Sequence, residues 1–139
     1  MKKEVLCKSE TETMELARQI GKKAAAGDII CLKGELGAGK THFVKGFVKA
    51  FGIDPERVSS PTFSIINEYE GELPIYHFDC YRLENPQEAL EIGAEEYLYG
   101  EGVSIIEWPE RIRHILPDNV MWIEITSINN TTRKFSYIE

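Results

Sequence analysis

The strongest chemical signal in the sequence is the segment Gly-Glu-Leu-Gly-Ala-Gly-Lys-Thr at positions 34–41. Its spacing, Gly-x-x-x-x-Gly-Lys-Thr, is that of the Walker A phosphate-binding loop. The glycines let the backbone curl so that its N–H groups point at phosphate oxygens. Lys40 would then reach the β- and γ-phosphates of a nucleotide, and the hydroxyl of Thr41 would bind Mg²⁺. The motif therefore predicts a nucleoside triphosphate site.

The segments beside this loop have the pattern that a phosphate-binding loop requires. Residues 28–33 form a short apolar run that predicts a buried strand. Residues 40–51 carry apolar side chains at helical spacing, and Gly52 ends that pattern. A helix beginning at Lys40 adds its positive dipole end to the anion site. The competing interpretation is a glycine-rich turn without a ligand, and the complete motif in this context argues against it.

Two acidic residues stand at the ends of predicted strands, where a nucleotide site usually finds its carboxylate. Glu107 ends the apolar run 103–107, and Asp79 ends the run 74–79. Either carboxylate can help to hold Mg²⁺ or orient the attacking water, and the residues alone do not decide between the two. The alternative without a function is an acidic residue at the end of a strand whose side chain simply faces solvent.

Several other residues have both a functional and a structural interpretation, which are of comparable weight for the first segment and favour the structural one for the rest. Residues 59–62, Ser-Ser-Pro-Thr, form either a plain turn or a switch in which the hydroxyl of Thr62 contacts the γ-phosphate or Mg²⁺. Trp108 is either a core residue or a neighbour of the nucleotide. Arg82 is expected to pair with a nearby acid rather than act as an arginine finger. His77 is expected to be a strand residue with a satisfied hydrogen bond, and His42 and His114 are not at metal-ligand spacing.

The remaining segments alternate between helix and strand, which predicts an α/β fold. Ser9 and Glu12 form a capping-box pattern at the start of the first helix. The expected elements are a helix over 9–26, a hairpin over 63–69 and 74–79, a helix over 86–98 that Gly93 can divide, a short helix over 109–116, and a hairpin over 120–126 and 132–138.

Length and composition set outer limits on these interpretations. The chain has 139 residues, 42% of them hydrophobic, so we expect one globular domain over 1–139. A net charge of −7 disfavours direct, sequence-independent binding to nucleic acid. The three cysteines form no CxxC pair, which is typical of a reducing cytosol. No apolar run is long enough to span a bilayer and no signal peptide is evident, so we expect a cytoplasmic protein without membrane contact.

Four motifs together resemble the TsaE family, formerly YjeE or YdiB, over essentially the whole chain. In chain order they are GELGAGKT at 34–41, SPTF at 60–63, HFDCYRL at 77–83 and EWPE at 107–110. The resemblance implies a P-loop NTPase sandwich with central parallel strands and antiparallel edge strands. It also implies that the nucleotide is ATP. The preference for adenine comes from this resemblance alone, because no residue spacing here distinguishes adenine from guanine.

The resemblance further implies a set of site residues and a partner. Asp79, Glu107 and Thr62 join Lys40 as catalytic residues, and Thr41, Glu107 and Asp79 become the candidate Mg²⁺ ligands. The residues expected to bind ATP are Gly34, Glu35, Leu36, Gly37, Ala38, Gly39, Lys40, Thr41, His42 and Trp108. The family acts in tRNA threonylcarbamoyladenosine modification, on the TsaB–TsaD complex, so tRNA would be met only through that complex.

These points predict a Mg²⁺-dependent ATPase that is slow alone and faster with its partner. A GTPase would need an NKxD-like motif, which the pair Asn129-Asn130 does not supply. A small-molecule kinase would need an arginine-rich lid, and the region after Arg82 is short and acidic. A nucleotide-gated protein-binding module with incidental hydrolysis remains the alternative, because a switch and an enzyme share one P-loop.

Overall fold

Seven strands form one mixed sheet in the structure, a computed structural model that describes residues 2–35, 39–58 and 65–138. In chain order the strands are β1 (Lys2–Cys7), β2 (Ile29–Lys33), β3 (Ile66–Tyr69), β4 (Ile75–Asp79), β5 (Val103–Glu107), β6 (Met121–Ser127) and β7 (Arg133–Ile138). Their order across the sheet is β1-β7-β6-β2-β5-β4-β3. The four central strands, β6, β2, β5 and β4, are parallel, whereas β3, β7 and β1 each pair antiparallel with a neighbour. The expected arrangement of central and edge strands is confirmed.

The two innermost strands are apolar on both faces because helices cover both sides of the sheet. All five residues of β5 are buried, as are the first four of β2. One face carries α1 (Glu10–Lys22) and α2 (Lys40–Lys49), and the other carries α3 (Pro86–Glu91), α4 (Ala94–Leu98) and a 3₁₀ helix over Pro109–Ile115. A further 3₁₀ turn covers Pro55–Arg57. Helices, sheet and helices thus form the three layers of a P-loop NTPase-like fold.

Close packing between α1 and α2 sets how the first layer sits on the sheet. Phe43 and Phe47 of α2 are fully buried, and the Phe43 ring stacks on Phe135 of β7. Gly46 lies against the backbone of Met14 in α1, so closely that a Cβ atom there would be 2.1 Å from the Met14 carbonyl oxygen. Only glycine allows this backbone contact between the two helices.

Most of the predicted elements are confirmed, and one boundary is corrected. Ser9 caps α1, and its side chain accepts a hydrogen bond from the backbone N–H of Glu12 at 3.1 Å. The helix ends at Lys22 rather than at residue 26, because the Asp28 carboxylate captures the N–H of Ala25 and Gly27 takes a left-handed conformation. The two hairpins and the strand ending at Glu107 are found where the sequence predicted them.

Three features differ from, or refine, the predicted elements. The region 86–98 is two helices, since Gly93 has φ +81° and starts the second one. The short helix after Trp108 is a 3₁₀ helix, and it is kinked at Ile112, where φ is −125°. Strand β1 was not predicted: it is an edge strand in which most side chains are exposed, so it lacks an apolar face in the sequence.

Two further findings concern the chain as a whole. No helix among the described residues is long and apolar enough to cross a membrane. Cys7, Cys31 and Cys80 are free thiols and all are buried. Burial raises the pKa of Cys31 and of Cys80 to about 12.

Candidate nucleotide site

The site lies at the carboxyl edge of the parallel strands, where β2, β5 and β4 end side by side. Leu32 of β2 pairs with Glu107 of β5, and Glu107 in turn pairs with Asp79 of β4. The glycine-rich loop leaves β2 at this edge and returns as α2. The two carboxylates that the sequence singled out separately are therefore neighbours, beside the start of the loop.

The Lys40 side chain points into this edge and is 5% exposed. Its ammonium group donates a hydrogen bond to the Gly34 carbonyl oxygen at 2.8 Å and lies 3.9 Å from the centroid of the Trp108 ring. Burial lowers the pKa of Lys40, while the negative charges of Glu107 and Asp79 act to raise it. A buried cation beside two carboxylates, with a carbonyl and an aromatic face as its direct contacts, is suited to receive an anion.

Trp108 is held in place by an unusual backbone conformation directly after Glu107. Its φ of 59° makes it the one non-glycine residue with positive φ in the described part of the chain. Its ring also packs against Tyr81, with ring centroids 4.9 Å apart. A non-glycine residue in this region costs free energy, so the conformation needs support from its surroundings. Here it places the indole over the Lys40 ammonium.

The two carboxylates differ in their surroundings. Glu107 is 7% exposed, and its Oε2 lies 2.5 Å from Nε2 of the buried His77. Asp79 is half-buried, and its Oδ1 accepts a hydrogen bond from the backbone N–H of Tyr81 at 3.1 Å. Each of these contacts engages one carboxylate oxygen, Oε2 of Glu107 and Oδ1 of Asp79, and both residues line a cavity. The expectation that His77 is a strand residue with satisfied hydrogen bonds is confirmed.

A cavity of about 780 Å³ opens in front of Lys40. Its lining comes from several parts of the chain. Asp79 and Glu107 end β4 and β5, Tyr81 and Trp108 follow them, and Gly39, Lys40, Thr41 and His42 lie at the start of α2. The remaining lining residues belong to the start of α1 and to the β6–β7 turn with the first residue of β7, and they are Lys8, Ser9, Glu10, Thr11, Thr13, Asn130, Thr131 and Arg133. A volume of this size is typical of small-molecule sites.

Arg133 forms a fixed part of the cavity wall. Its Nη1 donates to the carbonyl oxygens of Asn129 and Thr132, at 2.7 and 3.2 Å. Its side chain lies beside Gly39, within 3.8 Å of the place a Cβ atom would take there. Gly39 has φ +100°, a conformation natural to glycine, and it is the N-cap residue of α2. The arginine thus stands next to the end of the glycine-rich segment.

The other predicted site residues have mixed outcomes. His42 lines the cavity, and its Nε2 lies 3.1 Å from Oε2 of Glu10. Glu35 is exposed and is not part of the cavity lining, and the same holds for Arg82. Leu36, Gly37, Ala38 and Thr62 lie outside the described residues, as does the rest of the segment 59–64.

Sequence reasoning missed the wall made by the start of α1 and by Arg133. Ser9 was interpreted only as a helix cap, and the β6–β7 turn only as a hairpin connection. Their meeting depends on β1 and β7 being paired in the sheet, which brings both connections to the same edge. An amphipathic pattern in residues 2–7 would have been the signal, and the charged Lys2, Lys3 and Glu4 obscure it.

The donor set fits a magnesium–nucleotide complex better than a metal held by protein alone. Within the described ranges, no group of three or more His, Cys, Asp or Glu side chains could hold a metal ion. Mg²⁺ is usually bound by one or two carboxylates together with substrate phosphates and water. Glu107, Asp79 and the hydroxyl of Thr41, all lining one cavity with a buried lysine, match that requirement.

Comparisons with known proteins agree with one another. The family model "Threonylcarbamoyl adenosine biosynthesis protein TsaE" matches residues 7–135. The tRNA threonylcarbamoyladenosine biosynthesis protein TsaE of Bacillus subtilis (strain 168) is 42% identical over 127 residues, which cover 91% of this chain and 78% of that protein. The Treponema pallidum (strain Nichols) protein of the same name is 37% identical over 93% of this chain and 95% of its own. The crystal structure of YdiB from Bacillus subtilis superposes with a TM-score of 0.81 at 33% identity, covering 99% of this chain and 84% of that one.

Proposed function

Because this chain belongs to the TsaE family of tRNA threonylcarbamoyladenosine biosynthesis proteins, we propose that it binds ATP with Mg²⁺ and hydrolyses it in support of that modification. The observation that carries the proposal is the position of Lys40. Its ammonium group is buried in a cavity at the carboxyl edge of the parallel strands, beside two carboxylates that end neighbouring strands.

The phosphate end of the nucleotide would lie against Lys40 and the first turn of α2. The Lys40 ammonium would exchange the Gly34 carbonyl for the β- and γ-phosphate oxygens, and the exposed N–H groups of the helix start would add further donors. Because burial disfavours the charged form of Lys40, an incoming polyanion would gain a strong partner at little further desolvation cost for the lysine.

Thr41 and Glu107 would hold Mg²⁺, which in such sites neutralises charge that develops on the phosphates. Glu107 suits this role because it is buried, next to Lys40, and held at Oε2 by His77. Asp79 would orient the attacking water and accept its proton, since it is more exposed to the cavity and its Oδ1 is fixed by Tyr81. This assignment gives the two carboxylates separate tasks.

The base and ribose would lie against the part of the lining that comes from α1 and the β6–β7 turn. This part offers hydroxyl and amide groups from Thr11, Asn130 and Thr131, beside the side chain of Arg133. Groups of this kind can donate to and accept from the polar edges of a base. In this orientation the phosphates would face Lys40 and the two carboxylates, which line the same cavity.

The protein would act in the cytoplasm on the TsaB–TsaD complex and meet tRNA only through it. The net charge of −7 is consistent with this indirect route to nucleic acid. The Arg133 guanidinium is bonded to carbonyls of its own turn, so it forms a wall rather than a mobile finger. A partner that supplies the missing cation could raise turnover by about 10³–10⁵. Hydrolysis by the protein alone would then be slow.

The test is steady-state ATP hydrolysis by the purified protein, with and without TsaB–TsaD, together with the melting temperature in Mg²⁺-ATP. At a ligand concentration of 100 Kd, binding stabilises the native state by about 2.7 kcal/mol. Partner-stimulated turnover and the rise in melting temperature should both be lost in Lys40→Ala. Lys49→Ala is the matched control, because Lys49 is exposed on the same helix.

The outcomes distinguish the two functions that a P-loop permits. Partner-stimulated turnover supports a resetting ATPase. A ligand-dependent rise in melting temperature with no turnover in either condition would instead support a nucleotide-gated protein-binding module. No rise in melting temperature with Mg²⁺-ATP in the wild-type protein would overturn both.

A further inference from the structure

Three buried polar side chains form a line that begins at the Glu107 carboxylate and continues beneath the cavity lining. The proposed reaction gives a direct role only to the first of them. Oε2 of Glu107 lies 2.5 Å from Nε2 of His77, and Nδ1 of His77 lies 3.4 Å from the hydroxyl of Tyr69. His77 is 1% exposed and Tyr69 is 5% exposed. The line runs from the cavity across three neighbouring strands, β5, β4 and β3.

The sheet places these groups on one face. His77 and Asp79 are two residues apart on β4, and Ile105 and Glu107 are two residues apart on β5, so each pair projects to the same side. His77 pairs in register with Ile105, two residues before Glu107. The imidazole therefore reaches Glu107 diagonally, from a position farther from the carboxyl edge of the sheet than Glu107 itself.

The hydrogen-bond chemistry of the line defines the role of each member. An ionised carboxylate only accepts hydrogen bonds, so Nε2 of His77 must carry the proton that it shares with Glu107. In the neutral ring Nδ1 is then an acceptor, and the Tyr69 hydroxyl can donate to it. Tyr69 thereby favours the tautomer that suits Glu107. Histidines that hold metal sites are commonly fixed through their second nitrogen in the same manner.

We propose that His77 is a positioning residue, which fixes Oε2 of Glu107 and so presents the other carboxylate oxygen to Mg²⁺, with Tyr69 holding the His77 tautomer. The inference rests on the proposed function, since it assigns Glu107 to the metal. Without the Nε2–H donor, the Glu107 carboxylate would lose its hydrogen-bond partner in a buried place and could rotate. Loss of such outer-shell partners typically weakens metal binding about 10–100-fold.

The experiment measures Mn²⁺ or Mg²⁺ affinity of the ATP complex by calorimetry, and ATP affinity without metal. His77→Leu should weaken metal binding about 10–100-fold and leave metal-free ATP binding within about twofold. His77→Gln keeps an amide donor near the position of Nε2 and should restore most of the affinity, whereas His77→Asn is too short to do so. Tyr69→Phe should cause a smaller loss. Tyr76→Phe is the control, because Tyr76 projects from β4 to the opposite face.

Each result bears either on the positioning role of His77 or on the proposed function. If His77→Leu does not fold, the comparison of His77→Gln with His77→Asn replaces it, since both keep a polar side chain. Equal metal affinity in wild type and His77→Leu, or equal losses in His77→Gln and His77→Asn, would overturn the positioning role. Failure of the wild-type protein to bind Mg²⁺-ATP would instead count against the proposed function.

Discussion

Replacing Gly46 by alanine would drive a methyl group into the backbone of the helix that packs against it. The new Cβ atom would lie 2.1 Å from the carbonyl oxygen of Met14 and 2.5 Å from its Cα atom. Ordinary carbon–oxygen contacts are about 3.3 Å or longer. Helices α1 and α2 would therefore have to separate by roughly 1 Å, because backbone atoms of a helix cannot rotate out of the way.

The expected magnitude is the balance of two opposing terms. Alanine in a helix interior is favoured over glycine by about 1 kcal/mol. Overpacking of a tight core costs about 1–3 kcal/mol, and contact with rigid backbone places this site near the upper end. The net loss is then about 2 kcal/mol. With an unfolding entropy of about 2.1 cal/mol/K per residue, a chain of 139 residues should melt about 7 °C lower.

The assay is thermal unfolding followed by circular dichroism, with urea unfolding of the same samples as a second measure. Lys49→Ala, an exposed substitution in α2, serves as the control and should stay within about 0.5 kcal/mol of wild type. A melting temperature of Gly46→Ala equal to or above that of wild type would refute the reasoning. Helix propensity alone would then decide the effect, and the two backbones could not be in contact at Gly46.

Two further predictions concern a cysteine pair and a carboxylate. Burial raises the pKa of Cys31 and Cys80 to about 12, against 9.0 for an ordinary thiol, so the unfolded chain loses these protons first as the pH rises. This contribution to stability should be complete below pH 9 and should decline between pH 9 and 12. Urea midpoints at pH 8 and pH 10.5 should fall less in Cys31→Ala/Cys80→Ala than in wild type, and equal falls would contradict the assignment. For Asp79→Asn, we expect turnover to drop by about 10²-fold or more while Mg²⁺-ATP affinity stays within about threefold, and a matching loss of affinity would place Asp79 on the metal instead.

Much of the candidate site at the carboxyl edge of the sheet could be predicted, because the residues that determine it are local in the chain. The end of β2 at Lys33, the start of α2 at Lys40 and the strand ends at Asp79 and Glu107 each follow from a few consecutive residues. That the two carboxylates are register neighbours depends on strand order, which no local pattern contains. The contact of Trp108 with Lys40 likewise needs the positive φ of Trp108, which its residue type argues against.

The parts that could not be predicted are those decided by tertiary pairing. Residues 2–7 form a strand because β7 offers them a partner, not because of their own pattern, in which Lys2, Lys3 and Glu4 dominate. His77 was correctly placed on a strand with a hydrogen bond, yet its partner Glu107 is 30 residues away in sequence. Partners so distant are joined only by the parallel pairing of β4 and β5.

The pairing of β1 with β7 has a consequence for the order in which the protein can assemble. Lys2 is the register partner of Ile138, and among the strands that the structure describes β1 pairs only with β7, which follows it by more than 120 residues in the chain. On the ribosome, β1 must wait unpaired until β7 emerges and enters between it and β6. The glycine-rich segment and both carboxylates are made well before that moment. The wall that carries Thr11 and Arg133 closes after these parts, so a nascent chain acquires the complete candidate cavity only once β7 has emerged and paired.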